Sequence, residues 1–359
     1  MAFVKTLDIL KKCADEKFAV GAFNLNGLDQ VSALVKKAEE AGSPILITEP
    51  GVIEPYMDFE QIAAVTYHAA KNAKVPVGLH LSHGGDLEQV ERACKAGFTS
   101  VMYDGSKLQY EENVRRTAEA VKMGHSYGTA VEGELGALPG ASEGGAAADA
   151  NVDTMTDPSL AKDYVKRTGV DILAVSIGNA HGLYKGKPSL DFQRLEQIYY
   201  GLLSQNVYLT LHGGTGIPED HLKRAMTMGI VKVCIYTDMC VEGKKNAVQY
   251  AAAKPEYQGN FDVCDMIGEI NRGFTDAMLT CMKMFDSVSR VQRSESFDAA
   301  SVNTGVAVQA MNLAASEPAA KQSTGPVVNT DVGPVTPSDP TLRKTSAEAK
   351  QKIYWHRNV

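Results

Sequence analysis

Residues 207–238 read VYLTLHGGTGIPEDHLKRAMTMGIVKVCIYTD and predict a strand, a glycine-rich turn, a helix and a second strand, in that order. The apolar run 207–211 ends in HGGTG, and Pro218 stands where the first turn of a helix would begin. The helix ends near Gly229, and a second buried strand follows at once. A histidine and small residues between a strand and a helix indicate an anion or metal pocket. The alternative is a tight turn that needs glycines for its backbone alone.

The same local pattern recurs along the chain, because helical segments alternate with short apolar strands that end in polar residues. Strands are predicted at 19–23, 44–48, 77–81, 100–103, 129–134, 172–177, 207–211 and 231–236. Helices are predicted at 29–41, 58–72, 86–96, 111–124, 159–168, 190–205, 218–228, 239–253 and 263–286. Eight such units predict an α/β fold, the closed (β/α)8 TIM barrel. The alternative, an open doubly wound sheet, would require a glycine fingerprint after the first strand, and AFNLN at 22–26 lacks one.

Two stretches interrupt this alternation and suggest how the chain is divided. Residues 135–157 are rich in glycine and alanine, and a loop of that length is usually functional or disordered. Past Phe285 the composition shifts to Ser, Ala, Val, Thr and Pro with weak periodicity. The barrel domain is therefore predicted at 1–286. A long, irregular C-terminal extension is predicted at 287–359, low in complexity or extended, with a short helix near 346–356.

Composition limits the partners and the compartment. The 359 residues are 44% hydrophobic and 22% charged, and the net charge of −7 argues against nucleic-acid or membrane binding. The six cysteines show no metal-finger spacing, which favours reduced thiols. The N-terminus does not have the pattern of a signal peptide. These features predict a soluble, cytoplasmic protein.

Polar side chains stand at the carboxyl ends of the predicted strands, which converge on one face of a parallel barrel. Three of them are histidines, and imidazoles on one rim with carboxylates beside them fit a catalytic Zn²⁺ with an open coordination position. A single histidine at a strand end is more often structural, but three on one rim favour a metal. The set comprises Asn24, Glu49, Ser82, His83, Asp104, Glu132, Glu134, His181, His212, Thr237 and Asp238.

Glycine follows each of the three histidines, which would let backbone N–H groups approach a bound anion. The loops after the seventh and eighth strands are the usual phosphate site of such barrels. A metal beside a phosphate site suits polarisation of a carbonyl or enediolate oxygen on a small phosphorylated sugar. Candidate proton carriers are Asp104, Glu132, Glu134 and Glu143. For Asp104 and Glu132, an equally weighted alternative to proton transfer is that the carboxylate orients a zinc-binding histidine.

With these motifs in order, residues 1–286 resemble the class II (zinc-dependent) fructose-bisphosphate aldolase family, which includes the tagatose-bisphosphate aldolases. The matching stretches are VGAFNLNGLDQ, HLSHGGDLE, TSVMYDGS, VEGELGALPG, VDILAVSIGNAHGLYKGKPSLDFQRL, LHGGTGIP and IVKVCIYTD. The resemblance implies reversible cleavage of a ketose bisphosphate into dihydroxyacetone phosphate and an aldehyde, with zinc or another divalent metal stabilising the enediolate. It also implies a homodimer or homotetramer, and a monovalent cation such as Na⁺ or K⁺.

The resemblance also implies roles for individual residues. His83, His181 and His212 correspond to the zinc ligands, Glu134 to an acidic residue that approaches the metal, and Asp104 to its supporting carboxylate. Glu143 lies where the family keeps a proton-transfer glutamate in a mobile loop. Asn271-Arg272 falls about where a phosphate-binding arginine is expected. The substrate and phosphate positions are Asn24, Gly182, Lys185, Gly213, Gly214, Thr215, Cys234, Tyr236, Thr237 and Arg272.

Two departures from the family pattern concern the substrate. Ser82 stands where the family has an aspartate that moves the proton of a substrate hydroxyl, and a serine hydroxyl cannot replace it unaided. Cys234-Ile235-Tyr236 stands where the family has Asn, any residue, and Asp. The prediction is thus a zinc aldolase whose substrate contacts are altered. The alternatives are a non-catalytic paralogue that binds a sugar phosphate or a metal, and another zinc-dependent lyase or epimerase on the same fold.

Overall fold

The computed structural model describes residues 2–139, 154–184, 186–257, 259 and 262–291. Eight parallel strands close into a barrel in chain order, and the eighth strand pairs with the first. The predicted (β/α)8 barrel is confirmed, and the open doubly wound alternative is wrong. The strands are β1 (Val20–Asn24), β2 (Ile45–Pro50), β3 (Val77–Gly84), β4 (Ser100–Tyr103), β5 (Ala130–Leu135), β6 (Ile172–Val175), β7 (Tyr208–Leu211) and β8 (Ile230–Ile235).

The helices form where apolar periodicity and capping residues agree. Asp58, Asp86, Asp157 and Asp191 each precede a helix, and each side chain accepts a hydrogen bond from an N–H group of the first turn. The helices are α1 (Thr6–Glu16), α2 (Asp29–Ala41), α3 (Phe59–Ala70), α4 (Leu87–Ala96), α5 (Tyr110–Ser126), α6 (Pro158–Thr168), α7 (Phe192–Leu202), α8 (Glu219–Thr227), α9 (Thr237–Ala253) and α10 (Asp262–Met284). A short 3-10 helix at Gly51–Ile53 follows β2.

Strand β3 runs three residues further than the 77–81 predicted from the sequence. Its pairing with β4 shifts between Leu81 and Gly84, and His83 has a positive φ of 49°. In a regular strand Ser82 and His83 would face opposite sides of the sheet. The irregularity is a bulge, and a bulge re-aims a side chain. Here it turns the His83 imidazole towards the carboxyl-terminal rim.

Helix α1 closes the opposite end of the barrel. The Val4 N–H donates to the Val77 carbonyl oxygen, which ties the segment before α1 to the start of β3. Apolar side chains of this segment pack against the amino-terminal halves of several strands, and this cluster includes Ile9, Leu10, Phe18, Val20, Leu46 and Ile172. Since the amino-terminal end is filled, the carboxyl-terminal rim is the end available to a ligand.

The rest of the predicted organisation is only partly covered by the structure. Residues 140–153 and 292–359 lie outside the described residues, so the division into a barrel and a C-terminal extension stays a prediction. Among the helices described, none is long and apolar enough to cross a membrane.

Candidate metal centre and anion site

Three histidines from three different strand ends meet at the carboxyl-terminal rim. His83 lies in β3, His181 in the loop after β6, and His212 directly after β7. The ring centroids of His83 and His212 are 4.6 Å apart, and those of His83 and His181 are 4.9 Å apart. Each ring offers a nitrogen within 4.8 Å of a nitrogen on both others, and all three side chains are buried. We call these residues the histidine triad.

Asp104 orients the first histidine of the triad. Its Oδ2 lies 2.8 Å from His83 Nδ1, and its Oδ1 accepts the Ser106 hydroxyl at 2.6 Å. Burial raises the pKa of Asp104, but the hydrogen bonds from His83 and Ser106 outweigh it and hold the pKa below its ordinary value. An ionised carboxylate on Nδ1 leaves His83 Nε2 to face the centre of the triad.

A second carboxylate, Glu132 of β5, holds the last histidine of the triad. Glu132 Oε1 lies 2.7 Å from His212 Nε2, and Oε2 forms an ion pair with Lys232 of β8. Both side chains of the ion pair are completely buried inside the barrel. Burial raises the pKa of Glu132, but the charge of Lys232 and the hydrogen bond to His212 bring it well below the ordinary value. Burial lowers the pKa of His212 to about 4.

Glu134 is the third carboxylate beside the histidine triad. Its Oε2 lies 3.8 Å from His83 Nδ1, the side chain is 1% exposed, and Oε2 has no hydrogen-bond partner among the described residues. Burial and then the nearby charge of Asp104 raise the pKa of Glu134 to about 8. Among the described residues, no lysine or arginine forms an ion pair with this buried carboxyl group.

The residues at the rim fit a divalent metal ion of the zinc type. His181 Nε2 and Glu134 Oε2 are both buried lone-pair atoms for which the described part of the chain supplies no hydrogen-bond donor. Burial lowers the pKa of His181 to about 2, which keeps the imidazole neutral and able to ligate. Three imidazoles with one nearby carboxylate form the nitrogen-rich donor set that zinc takes in catalytic sites.

The pKa of Glu134 predicts how the stability of the metal-free protein depends on pH. The folded chain keeps a proton that the unfolded chain releases above pH 4.5. The free energy of unfolding should therefore fall as pH rises from about 4.5 to about 8, by as much as roughly 5 kcal/mol. Replacing Glu134 by glutamine should remove this part of the pH dependence. Urea unfolding followed by circular dichroism measures it.

The matched control is Glu60→Gln, which changes an exposed glutamate in the first turn of α3. The histidines act in the opposite direction below pH 6.5, so only the difference between Glu134→Gln and wild type is diagnostic. Parallel pH profiles for wild type and Glu134→Gln would contradict the raised pKa.

An anion site adjoins the histidine triad. Gly213, Thr215 and Thr237 line the same pocket as the three histidines, and Gly182 completes its wall. Gly213 and Gly182 both have a positive φ, and a Cβ at Gly213 would overlap the carbonyl oxygen of Ala180. Helix α9 begins at Thr237, so its N-terminal N–H groups and helix dipole lie at this wall. The arrangement suits a phosphate next to a metal.

Other predicted phosphate positions lie elsewhere or outside the described residues. The Gly214 N–H donates to the Cys234 carbonyl oxygen at 3.1 Å, and a Cβ there would meet Val233 and Ile235. Gly214 thus packs the turn against β8, and it does not line the pocket. Arg272 lies on α10, where its exposed guanidinium pairs with Glu269, and it is not part of the pocket lining among the residues described. Lys185 and Glu143 fall outside the described residues.

The residues that depart from the family pattern lie at or near the rim. Ser82 is 1% exposed, and its hydroxyl has no hydrogen-bond partner within the described part of the chain. Cys234 Sγ lies 3.7 Å from His212 Nε2. The Tyr236 hydroxyl donates to Asn26 Oδ1 at 2.5 Å, which joins the end of β8 to the end of β1. Asn24 accepts a hydrogen bond from the Thr48 hydroxyl beside this contact.

Lys232 and His80 lie inside the barrel below the rim, and neither was predicted as a site residue. Lys232 Nζ is 2.9 Å from His80 Nε2, and neither side chain reaches solvent. A signal was present, since each residue interrupts an apolar strand, at LHL in β3 and VKV in β8. Side chains alternate along a strand, and polar residues at inward positions indicate a buried network.

Comparison with known protein families gives a match over most of the chain. The family model described as "Fructose-bisphosphate aldolase class-II" matches residues 4–290. A "Probable fructose-bisphosphate aldolase" of Bacillus subtilis is 35% identical over 290 residues, which cover 80% of this chain and 99% of the relative. A "Fructose-bisphosphate aldolase" of Geobacillus stearothermophilus is 34% identical over 290 residues, covering 80% and 98%.

Solved structures agree with the sequence matches. The YdjI aldolase of Escherichia coli K12 superimposes with a TM-score of 0.69 at 29% identity, over 81% of this chain and 100% of that one. A putative fructose-1,6-biphosphate aldolase of Coccidioides immitis gives a TM-score of 0.70 at 28% identity, over 80% and 98%. The similarity therefore spans the whole barrel.

Proposed function

Because the chain belongs to the class II fructose-bisphosphate aldolase family, we propose that it is a zinc-dependent aldolase that cleaves and forms a carbon–carbon bond in a phosphorylated ketose. The observation that carries the proposal is the buried histidine triad beside the wall of Gly213, Thr215 and Thr237. The proposal is supported because the residues that would hold the metal and those that would bind the phosphate line one pocket.

His83, His181 and His212 would hold the metal, and Glu134, which forms a second group of ligand atoms with His83 and Asp104, would stand beside it as a partner of the substrate. A divalent metal bound there supplies Lewis-acid polarisation of a carbonyl oxygen. Asp104 keeps the His83 imidazole turned to the centre of the site, since it occupies Nδ1. In this way the protein holds a fixed donor geometry before the substrate binds.

The wall beside the triad would bind the phosphate of the substrate. The backbone at Gly213 approaches closely because no Cβ fits there, and Thr215 and Thr237 contribute hydroxyl groups. The N-terminus of α9 adds the positive end of the helix dipole at this wall. A phosphate held at this wall orients the adjoining carbon atoms towards the histidine triad.

Glu134 is the described residue best placed to hold and move a proton. Its Oε2 lies 3.8 Å from His83 Nδ1, and its pKa of about 8 leaves the carboxyl group protonated near neutral pH in the metal-free protein. A carboxyl group with a pKa near the working pH exchanges a proton efficiently. Asp104 and Glu132 are engaged by the contacts described above, which leaves Glu134 as the candidate proton carrier among the described residues.

The substrate need not be fructose 1,6-bisphosphate. The pocket wall at β8 presents Cys234 and Tyr236, and the Tyr236 hydroxyl is engaged with Asn26. This part of the wall offers neither a carboxylate nor an amide to a substrate hydroxyl. A ketose phosphate that needs fewer hydrogen bonds to its hydroxyl groups at the β8 wall would fit this pocket.

The experiment is a cleavage assay with the zinc-loaded protein. A panel of ketose mono- and bisphosphates is offered, and release of a triose phosphate is followed by a coupled reduction with NADH. We expect cleavage of at least one member, loss of that activity with a chelator, and recovery when Zn²⁺ is added back. Metal content is measured in the same samples.

Two outcomes would decide against the proposal. Absence of cleavage across the panel, with metal content confirmed, would favour a non-catalytic protein that binds sugar phosphates. Products without carbon–carbon cleavage would indicate another zinc-dependent lyase or an epimerase on the same barrel.

A further inference from the structure

A fully buried lysine connects the metal site to the interior of the barrel. Lys232 forms an ion pair with Glu132 Oε2 and lies 2.9 Å from His80 Nε2, while Glu132 Oε1 lies 2.7 Å from His212 Nε2. The exposed fractions of Lys232 and Glu132 are both 0%. An ammonium group in such a place costs several kcal/mol unless good partners compensate it, so its contacts are tightly constrained.

The hydrogen bonds continue from His80 away from the metal site. His80 Nδ1 lies 2.8 Å from Ser100 Oγ, and Ser100 Oγ lies 2.8 Å from Thr6 Oγ1 of α1. Thr6 Oγ1 lies 2.9 Å from Thr99 Oγ1, which bonds the N–H and the carbonyl oxygen of Leu79. We call the series from Thr99 to His212 the polar chain. It runs from the closed end of the barrel to the triad.

The donor and the acceptor of each hydrogen bond in the polar chain can be assigned by starting at the Leu79 carbonyl. The Leu79 carbonyl only accepts, so the Thr99 hydroxyl donates to it and its oxygen accepts from Thr6. The Thr6 oxygen then accepts from Ser100, whose own oxygen accepts from His80 Nδ1–H. His80 is neutral, because burial lowers its pKa well below the ordinary value. Its Nε2 is therefore an acceptor.

Lys232 gives the same assignment when the polar chain is followed from the end at the histidine triad. An ammonium group only donates, so Lys232 donates both to His80 Nε2 and to Glu132 Oε2. A carboxylate only accepts, and Glu132 Oε1 therefore accepts from His212 Nε2–H. The proton on His212 is thereby placed on Nε2, and Nδ1 carries the lone pair.

We propose that Lys232 is a positioning residue that acts through Glu132 to hold His212 as its Nε2–H tautomer, with the Nδ1 lone pair turned to the metal. The inference rests on the metal centre proposed above. A purely structural role, in which Lys232 only fills and neutralises the barrel interior, is the competing explanation. The two differ in what they predict when Glu132 becomes an amide.

The variant Glu132→Gln tests the direction of the bonds. A glutamine has one acceptor and one donor group, and Lys232 would take the amide oxygen because that bond is charge-assisted. The NH₂ group would then face His212 and force its proton onto Nδ1, where a metal must bind. We expect the affinity for Zn²⁺ to fall about 10- to 100-fold in competition with a chromophoric chelator. The control Glu60→Gln should bind Zn²⁺ like the wild type.

Removing the lysine from this variant should reverse the effect. In Glu132→Gln/Lys232→Met nothing holds the amide oxygen, which can turn to accept from His212 Nε2–H. We expect most of the Zn²⁺ affinity to return, although a second buried residue has been changed. A purely structural lysine predicts a double variant that binds Zn²⁺ no better than Glu132→Gln, and that outcome would overturn the proposal.

The tautomer itself is read from ¹⁵N nuclear magnetic resonance of the metal-free protein, with the His212 signals assigned by their loss in His212→Asn. Wild type should show the Nε2–H pattern, Glu132→Gln the Nδ1–H pattern, and the double variant the Nε2–H pattern again. An Nδ1–H pattern in wild type would refute the inference even if no variant folds. Because this measurement needs neither metal nor substrate, it stands or fails independently of the aldolase assay.

Discussion

Replacing His181 by alanine is expected to abolish zinc binding at the rim and to lower carbon–carbon cleavage by about a thousand-fold or more. The imidazole provides one of three ring nitrogens that lie within 4.8 Å of one another. Lewis-acid stabilisation is worth several kcal/mol in the transition state, and about 4 kcal/mol corresponds to a thousand-fold in rate. Metal content and the cleavage assay measure the two effects together.

The same substitution should leave the metal-free fold nearly intact. His181 Nε2 has no hydrogen-bond partner among the described residues, so truncation breaks no bond at that atom. The matched control is His68→Ala, which removes an exposed histidine from α3. Full activity in His181→Ala with zinc still bound would refute the assignment of His181 as a ligand.

Replacing Ser82 by aspartate is expected to raise the cleavage rate about 100- to 10,000-fold, if proton transfer at a substrate hydroxyl limits the reaction. Ser82 lies beside His83, is 1% exposed, and has a hydroxyl without a hydrogen-bond partner in the described part of the chain. A serine hydroxyl cannot exchange a proton near neutral pH, whereas a carboxyl group can. The measurement is kcat against a ketose bisphosphate across pH.

Ser82→Asn is the appropriate comparison, because asparagine has the size of aspartate without its acid–base chemistry. Only the aspartate variant should gain rate, and only its pH profile should gain an ionisation. Equal rates in the two variants would show that position 82 does not limit proton transfer. A gain in neither variant, with ligand binding retained, would support the non-catalytic alternative.

The fold could be predicted from the sequence because the apolar periodicity and the turn residues of each segment indicate its strand or helix. The strand 100–103 and the helix 29–41 were predicted with the bounds that the structure shows, since apolar period and turn residues agree there. The error at β3 has an equally local cause. Periodicity cannot reveal a bulge, and the bulge at His83 extends the strand to Gly84.

The sequence predicted the site residues only where functional side chains stand at the end of a strand. Histidines followed by glycine mark such ends, and the structure brings His83, His181 and His212 together. A polar residue inside an apolar strand indicates a buried polar group, but the sequence does not show which residue of a distant strand is its partner. Lys232 and Glu132 are 100 residues apart in the chain, and only closure of the barrel makes them partners.

The bulge in β3 also limits how the rim could be transplanted into another barrel. His83 has a positive φ of 49°, which costs a non-glycine residue roughly 1–2 kcal/mol, and a Cβ on the next residue, Gly84, would overlap the carbonyl oxygen of Met102. A designer who copied only the three histidines onto regular strands would aim the first one away from the others. The recipient barrel needs the bulge, the following glycine and a neighbouring strand shaped to receive them.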